Sequence, residues 1–274
     1  MKQPILAVRD LSYEYGNGEP TLSGINVEIF KGEKIAVIGS NGAGKSTFFL
    51  CLNGVIQPQT GFVEYKGNKI DKKNLKELRK NVGLVFQDAD NQIIASTVRA
   101  EVGFGPMNLK LTKEEVINRV EIALKYMNLS EFKNRPPHFL SGGEKKRVSI
   151  ADIIAMDSEI MVFDEPTVSL DPLNAQMLEE TLAKLESESK TLIISTHDVD
   201  FAYKWADRIL VFSEGGIIAD GSSTEIFLNT GILNRANLKK PIMLEVYEIL
   251  EKKNLIFKNK GFPKTTKELE RRLL

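Results

Sequence analysis

Short runs of apolar residues recur along the chain and predict buried strands. Five runs are rich in Ile, Val, Leu and Phe, a composition typical of parallel strands that are covered on both faces. They occupy residues 35–38, 82–86, 160–163, 191–195 and 209–212. Nearer the N-terminus, the apolar residues of segments 6–8 and 25–29 predict two further strands.

A helical period replaces the strand pattern from about Thr112. Thr112 and Glu115 have the spacing of a capping box, and apolar residues follow on one helical face. A second helix is predicted from Gly143 to Met156. Strands that alternate with helices indicate an α/β layered sheet, with a mostly helical insertion at about residues 88–155.

The C-terminal part of the chain differs in kind from the rest. Its apolar positions form a helical stripe, which is followed by a capping pair and a last short helix. The residues concerned are Ile242, Val246, Ile249, Leu250, Thr265, Glu268, Leu269 and Leu273. We therefore divide the chain into residues 1–234 and a small helical extension, residues 235–274. The stripe needs a cover, which is either a second subunit or the chain's own domain.

Composition excludes several classes of protein. The 274 residues include 37 Lys and Arg and 37 Asp and Glu, so no bulk positive charge indicates a nucleic-acid partner. A single cysteine, Cys51, excludes a disulfide framework and lies in an apolar stretch, so we expect a buried, inert thiol. Neither a signal peptide nor an apolar run of about 20 residues is present. We expect a soluble protein that reaches membranes only through partners.

The segment Gly39–Ser46 spells G-S-N-G-A-G-K-S between a predicted strand and a helix-like stretch. Glycines let main-chain N–H groups turn around phosphate oxygens, and the following helix adds its positive N-terminus. In this motif Lys45 reaches the β- and γ-phosphates and the Ser46 hydroxyl ligates Mg²⁺. An ordinary glycine-rich turn is the alternative, but Lys-Ser at the correct offset favours a phosphate-binding loop. The residues predicted to hold a nucleoside triphosphate here are Gly39, Ser40, Asn41, Gly42, Ala43, Gly44, Lys45, Ser46 and Thr47.

Two carboxylates follow the apolar run 160–163. In P-loop enzymes an Asp at this strand end holds Mg²⁺, and Asp164 has that position. Glu165 would then project toward the γ-phosphate, where it polarises the attacking water. A solvated strand end is the alternative, but carboxylates beside a buried strand need a cation or hydrogen-bond donors.

Further motifs decide among kinases, GTPases, helicases and other P-loop enzymes. Residues 140–144 spell L-S-G-G-E, residues 164–167 D-E-P-T, residues 169–171 S-L-D and residues 195–198 S-T-H-D. Together with the phosphate loop, they resemble the ABC transporter ATPases, in the family's order, over residues 5–230. The resemblance implies a P-loop NTPase core sheet with an antiparallel β subdomain and a helical ABC insertion, and it implies ATP and Mg²⁺ as cofactors.

The same resemblance implies roles for single residues. Gln87 would contact Mg²⁺ and the attacking water, and His197 would contact the γ-phosphate. A histidine in a chain without such motifs is usually an ordinary surface or core residue. Asp171 would belong to the D-loop. Tyr15 would stack on adenine, with Tyr13 the weaker candidate because it lies farther from the glycine-rich turn.

A second phosphate-binding helix N-terminus is predicted at Ser141, Gly142 and Gly143. Lys45 and its helix already occupy the near side of the nucleotide. The simplest arrangement is therefore two subunits packed head to tail, each covering the other's ATP, as the family does. ATP binding then closes the dimer and hydrolysis lets it open, whether the dimer is homo- or heteromeric. Glu144 replaces the family's usual Gln, a mild departure because Glu suits an early helical turn.

Within the family, the chain is most similar to the energy-coupling factor importers, and there to the cobalt/nickel import ATPases of the CbiO type. The likeness to the energy-coupling factor group is carried by residues 86–92, 97–98, 101–106, 135–138, 197–203 and 205–208, and the likeness to the CbiO type by the last two of these segments. His138 itself is predicted to be structural. The resemblance implies a peripheral ATPase at the cytoplasmic face of the cell membrane. Its partners would be a second ATPase subunit, a transmembrane coupling subunit and a substrate-binding membrane subunit.

The segment from Gln87 to Phe104 would then form the groove for a coupling helix of the membrane subunit. The apolar residues of this segment are Ile93, Ile94, Val98, Val102 and Phe104. They either line that groove or belong to the insertion's own core.

Three alternatives remain open at this point. The first keeps the ATPase but replaces the metal cargo with a vitamin. The second is a non-transport ABC protein, which usually has two cassettes, a coiled-coil insertion or a basic arm. The third is a non-hydrolysing scaffold, which Glu165 and the intact Ser141-Gly142-Gly143 segment disfavour.

Overall fold

The computed structural model describes residues 3–16, 18–168, 170–256 and 261–273, so Ser169 of the predicted D-loop lies outside the described residues. In chain order, the strands are β1 (Leu6–Glu14), β2 (Pro20–Ile29), β3 (Lys34–Gly39), β4 (Thr60–Tyr65), β5 (Asn68–Lys69), β6 (Val82–Val85), β7 (Ile160–Phe163), β8 (Thr191–Ser195), β9 (Arg208–Ser213) and β10 (Gly216–Ser222). The helices are α1 (Lys45–Leu52), α2 (Leu75–Asn81), α3 (Val98–Asn108), α4 (Lys113–Tyr126), α5 (Gly142–Met156), α6 (Pro172–Ser187), α7 (Val199–Trp205), α8 (Ser223–Leu228), α9 (Thr230–Ala236), α10 (Ile242–Lys252) and α11 (Thr266–Glu270).

Six strands form the core sheet, in the order β10-β9-β3-β8-β7-β6. Neighbouring strands in the run β9-β3-β8-β7-β6 pair in parallel, and only the edge strand β10 is antiparallel to its neighbour. The five strands predicted from apolar runs are thus confirmed as β3, β6, β7, β8 and β9, although β6 ends one residue early, at Val85. Because parallel strands share one carboxyl edge, the loops after β3, β6, β7 and β8 meet there.

A smaller antiparallel sheet, in the order β2-β1-β4-β5, confirms the predicted β subdomain. The predicted strands at residues 6–8 and 25–29 lie inside the longer strands β1 and β2, which pair from Leu6 opposite Ile29. Helix α1 shares a core with both sheets, since Phe48 and Phe49 are buried in one cluster with Val8 and Val37. The phosphate-loop helix is therefore fixed between the two sheets.

Cys51 lies in this same core, which confirms the prediction of a buried thiol. Burial raises the pKa of the Cys51 thiol to about 12. The reactive thiolate is therefore scarce at neutral pH, and the residue is inert.

The helical insertion packs against the β6–β7 edge of the core sheet. The capping box predicted for Thr112 and Glu115 is present at the start of α4. Buried residues of α4 and α5, among them Leu124 and Ile150, share a core with Phe163 of β7. Helix α5 begins at Gly142, one residue before the predicted start. Each helix in the part of the chain that the structure describes is too short or too polar to cross a bilayer.

The C-terminal extension contains the two predicted helices, α10 and α11, and Thr265 caps the second as expected. Helix α10 packs through Leu244 and Tyr247, which are buried, and Leu244 shares a core with α7, α8 and α9. The predicted stripe faces away from that core, with Ile242 63% and Ile249 54% exposed. The domain boundary at residues 234–235 stays a prediction.

The last residue of β3 must be glycine. Gly39 pairs with Phe212 of β9 at a φ of +149°, and a Cβ there would overlap the Phe212 carbonyl oxygen. We expect Gly39→Ala to lower the free energy of unfolding by roughly 3 kcal/mol, because a main-chain atom cannot yield easily.

Chemical denaturation measures this effect, with Gly32→Ala as the matched control. Gly32 also has a positive φ, +81°, but a Cβ there meets no atom within 4 Å. In the control, the free energy of unfolding should fall by only about 1 kcal/mol, because the only cost is the strain of a left-handed main chain at an alanine. Equal losses in the two variants would contradict the role assigned to the Phe212 carbonyl.

Candidate functional site

The phosphate loop joins β3 to α1 through a left-handed main chain. Gly44, directly before α1, has a φ of +99°, which glycine adopts without steric penalty. A Cβ at Gly44 would lie 2.7 Å from the carbonyl oxygen of Thr21, so no larger residue fits. The first N–H groups of α1 follow at once, and such groups have no partner within their own helix. This geometry can bind an anion.

Lys45 lies buried at the base of the loop. Its Nζ donates to the carbonyl oxygens of Gly39, at 2.8 Å, and Ser40, at 3.1 Å. Burial lowers the pKa of Lys45, whereas the carboxylates of Glu165 and Asp164 act in the opposite direction. The ammonium group is thus hydrogen-bonded to the loop and lies within the electrostatic influence of the two carboxylates that the sequence pattern predicts for the same site.

A cleft of about 490 Å³ lies over the loop. It brings together predicted residues from four loops of the chain, which lie far apart in sequence. The lining residues are Thr21, Asn41, Gly42, Ala43, Gly44, Lys45, Ser46, Thr47, Gln87, Glu165, Val168 and His197. Thr21 and Val168 were not predicted to line the site: no motif marks Thr21, and Val168 only begins the D-loop segment, for which Asp171 is the predicted residue. Of the predicted loop residues, Gly39 and Ser40 do not line the cleft and instead accept hydrogen bonds from Lys45.

Asp164 and Glu165 are both buried directly after β7, and one hydroxyl connects them. Ser195 Oγ donates to Asp164 Oδ1 at 2.6 Å and accepts from the Glu165 N–H at 2.8 Å. Glu165 has a φ of +44°, rare for a residue with a side chain, so this hydrogen bond supports a strained conformation. Sequence reasoning missed Ser195, although a polar residue at the end of an apolar strand was a usable signal.

His197 reaches the same carboxylate from the loop after β8. Its Nδ1 lies 2.9 Å from Glu165 Oε2, a hydrogen-bond distance, while its ring is 64% exposed. The histidine therefore faces the cleft and is not a core residue. His138 is exposed as well and contacts Phe139, with ring centroids 4.3 Å apart and the rings tilted by 45°, so its predicted structural role stays a prediction.

Tyr15 lies beside the phosphate loop. Its hydroxyl is 3.3 Å from Thr47 Oγ1, and the residue is 57% exposed. Tyr13 packs edge-on against it at 4.9 Å but is half-buried against the core. An aromatic face open to solvent next to the loop is the kind of surface on which a base stacks, so this geometry favours Tyr15 over Tyr13.

The predicted signature residues do not line the cleft. Ser141 and Gly142 are exposed at the N-terminus of α5. Ser141 Oγ accepts from the Glu144 N–H at 3.3 Å, and Glu144 Oε2 accepts from the Ser141 N–H at 2.7 Å. This capping box explains the Glu at position 144, and the N–H donor of Ser141 lowers the pKa of the Glu144 carboxyl.

Asp171 also lies outside the cleft, at the N-cap of α6. Its carboxylate accepts from the Asn174 N–H at 2.8 Å and from the Asn174 side chain at 2.9 Å, and these donors lower its pKa. The amide of Asn174 in turn packs on Gly143, where a Cβ would lie 2.7 Å from its Nδ2. The predicted D-loop and signature residues thus contact one another through Asn174.

The predicted Mg²⁺ ligands have suitable chemistry. Ser46 and Gln87 line the cleft, whereas Asp164, the residue before the cleft-lining Glu165, does not and accepts a hydrogen bond from Ser195. A hydroxyl, a carboxamide and a carboxylate supply only oxygen ligands, which Mg²⁺ prefers when phosphate oxygens and water complete its shell. The donor set therefore fits Mg²⁺ held together with a triphosphate.

Comparison with known proteins agrees with this geometry. A family model described as "ABC transporter" matches residues 22–168. The chain is 48% identical to the energy-coupling factor transporter ATP-binding protein EcfA of Methanocaldococcus jannaschii, over 94% of this chain and 93% of that protein. It is 45% identical to a protein of Methanosarcina mazei described as an ABC transporter ATP-binding protein, over 97% of this chain but only 59% of that protein's length.

Solved structures show the same likeness. CbiO1 of Clostridium perfringens, described as part of the ABC transporter complex cbiONQ, superposes with a TM-score of 0.75 and 37% identity, over 91% of this chain and all (100%) of that one. The ATP-binding cassette MJ0796, a dimer bound to ADP and Pi, superposes with a TM-score of 0.72 and 28% identity, over 80% of this chain and 98% of that one. The chain belongs to the ABC transporter family: it is an ABC-type ATPase, similar to the ATP-binding subunits of the energy-coupling factor group.

Proposed function

We propose that this chain hydrolyses ATP as one half of a head-to-tail dimer and thereby energises import of cobalt or nickel ions through a membrane transporter. The observation that carries the proposal is the cleft itself. It joins a phosphate loop to a buried carboxylate, Glu165, and to the histidine and glutamine that the family resemblance implies.

Each group in the cleft has a chemical task. Lys45 and the N–H groups of α1 bind the β- and γ-phosphates, and Tyr15 stacks on the adenine. Mg²⁺, held by Ser46, Gln87 and Asp164, supplies charge neutralisation when bound. Glu165 accepts a proton from the attacking water as the general base.

His197 has a part in the same step. Its Nδ1 contact with Glu165 Oε2 orients the carboxylate, and its exposed ring lines the cleft, where it would contact the γ-phosphate of bound ATP. Glu165 is thus fixed twice, at its main-chain N–H by Ser195 and at its carboxylate by His197. Such a carboxylate is pre-organised for proton abstraction.

The dimer follows from the position of the signature residues. The N-terminus of α5 has the character of an anion site but lies outside the cleft of its own chain. We infer that Ser141, Gly142, Gly143 and Glu144 cover the nucleotide of a second ATPase subunit, and that Asp171 and Asn174 lie at the same interface. The dimeric cassette MJ0796, bound to ADP and Pi, supports this arrangement.

The membrane partners dock on the helical insertion in this proposal. Of the predicted groove residues, Val98 and Val102 are buried in the insertion's own core, whereas Ile94 and Phe104 are 71% and 52% exposed. Met107, 68% exposed, continues this apolar surface. Apolar side chains left on the surface near the Gln87 segment suit a coupling helix of a transmembrane subunit. The chain would then lie at the cytoplasmic face of the membrane.

Two cargoes are compatible with the chain. We propose cobalt or nickel because residues 197–203 and 205–208 resemble the CbiO type, and the chain is also similar to CbiO1, part of the cbiONQ complex. The relative named EcfA fits a vitamin importer equally well. In either case the cargo passes through the membrane subunits and does not touch the ATPase.

We predict that Glu165→Gln retains ATP binding but lowers turnover by at least about 100-fold, the usual effect of losing a general base. The closed dimer should accumulate with ATP, because the shared γ-phosphate is no longer removed. Steady-state hydrolysis and sedimentation velocity measure the two effects. Glu179→Gln, which alters an exposed carboxylate paired with Lys204, is the control. Full turnover in Glu165→Gln would exclude this residue as the base.

We predict that Ser141→Arg abolishes ATP-dependent dimer formation and changes the ATP affinity of the monomer by less than about threefold, because the residue contacts only the partner's nucleotide. The substitution also removes the N-cap of α5, which costs about 1 kcal/mol. Ser141→Asp separates the two effects, since Asp retains the cap but repels phosphate. A normal dimer in Ser141→Asp would contradict the trans contact.

Uptake by cells that lack the gene tests the cargo. We expect deletion to abolish uptake of radiolabelled cobalt or nickel and to leave the uptake of labelled vitamins unchanged, with complementation by the intact gene as the control. Loss of vitamin uptake alone would establish the alternative cargo. Unchanged uptake of both classes would contradict a role in import.

A further inference from the structure

A buried lysine connects α5 to the segment that carries Gln87. Lys146 is 4% exposed, and its Nζ donates to the carbonyl oxygens of Phe86, at 2.7 Å, and Gln87, at 2.8 Å. Both acceptors lie in the turn that follows β6. Hydrogen bonds from a charged donor are stronger than neutral ones, so this contact fixes the main chain of Gln87 relative to α5.

The burial of this ammonium group needs an explanation. Lysine is almost never fully buried unless it is paired, and the two hydrogen-bond partners of Lys146 are neutral carbonyls. Burial lowers the pKa of Lys146 to about 8, and the carboxylates of Asp164, Asp88 and Glu165 oppose that shift. An apolar residue would fill the same space without desolvating a charge, so packing alone does not account for a lysine here.

The same segment is tied to α5 at its far end. The Gln92 side chain accepts from the Phe86 N–H at 3.2 Å and donates to the Ser149 carbonyl oxygen at 3.1 Å. Segment 86–92 therefore follows α5 as one piece. Of the α5 residues named here, Lys146 is the one that bonds the main chain of Gln87 itself.

Helix α5 places this contact close to the signature residues. Lys146 follows the capping residue Ser141 by five positions, about 7.5 Å along the helix axis. One end of this short stretch thus presents the signature residues, and the other end holds the main chain of the cleft residue Gln87. A rigid helix transmits a displacement of its N-terminus to a group bonded one turn further on.

We propose that Lys146 is a positioning residue that couples the two halves of the reaction chamber: it places Gln87 for hydrolysis when the N-terminus of α5 engages the nucleotide of the partner subunit. The inference rests on the proposed function, in which Gln87 contacts the attacking water and Ser141 the partner's ATP. It adds a physical link between these two contacts within one chain.

A double-mutant cycle in the full chain tests this link. Lys146→Met retains the length of the side chain but removes the donor, and we expect kcat to fall at least tenfold while KM for ATP changes less than threefold. In a Gln87→Ala background, the same substitution should lower kcat less than twofold further, because Lys146 acts only through Gln87. Lys146→Arg, which restores a charged donor, should recover at least a third of the wild-type kcat.

Arg147→Met is the matched control. Arg147 is the next residue of α5 and donates to the carbonyl oxygens of Met127 and Asn128, so it makes the same kind of contact away from Gln87. Its effect on kcat should be equal in the wild-type and Gln87→Ala backgrounds. Hydrogen exchange by mass spectrometry provides a second readout: amide exchange in segment 86–92 should rise at least tenfold in Lys146→Met and stay unchanged in Arg147→Met.

The outcomes are distinct. If Gln87→Ala is impaired and Lys146→Met lowers kcat by the same factor in both backgrounds, Lys146 is only structural, and the inference is overturned while the proposed function stands. Full turnover in Gln87→Ala would overturn the role proposed for Gln87 and this inference with it, whereas an unsubstituted chain without ATPase activity would overturn the proposed function. If Lys146→Met does not fold, Lys146→Gln takes its place in the cycle, and the same additivity decides the result.

Discussion

The hydroxyl of Ser195 is the contact on which the rest of the site depends. It bonds one oxygen of Asp164 and the main-chain N–H of Glu165, and all three residues are buried at the carboxyl edge of the parallel sheet. Left-handed main chain at a residue with a side chain costs on the order of 1–3 kcal/mol. The hydrogen bond from Glu165 to Ser195 helps to offset that strain and turns the Glu165 side chain into the cleft.

Sheet register makes this contact possible. Phe163 of β7 lies opposite Ile194 of β8, so the residues that follow each strand leave the sheet side by side. Asp164 and Glu165, directly after β7, therefore meet Ser195, the last residue of β8, and His197 in the loop that follows. A slip of one residue in this pairing would turn these side chains to the opposite faces of the sheet and separate them. The chemistry of the cleft is thus a consequence of strand pairing, and the apolar runs that specify the pairing also specify the site.

Much of this arrangement was predictable from the sequence, for physical reasons that differ between elements. The parallel strands were predicted because strands buried on both faces need continuous apolar runs, and the phosphate loop because few residue types tolerate its main chain. Ser195 and Lys146 were not. Ser195 left one usable signal, a polar residue at the end of an apolar strand, but its contact with the Glu165 N–H and the contacts of Lys146 with main-chain carbonyls leave no mark on the sequence. For α10, the helical period was correct, but the sequence left open which of its apolar residues pack on the chain's own domain. Leu244 and Tyr247 pack inward, and a period of 3.6 residues does not by itself decide between two apolar faces.

The central claim is that one chain contains only half of each reaction chamber, because the N-terminus of α5 lies outside the cleft of its own phosphate loop. The most direct test is the ATPase rate per subunit, measured against protein concentration across the range in which sedimentation shows the monomer converting to a dimer. The account predicts that the rate per subunit rises with the dimer fraction and approaches zero for the monomer. A constant rate per subunit from a purely monomeric solution would contradict it.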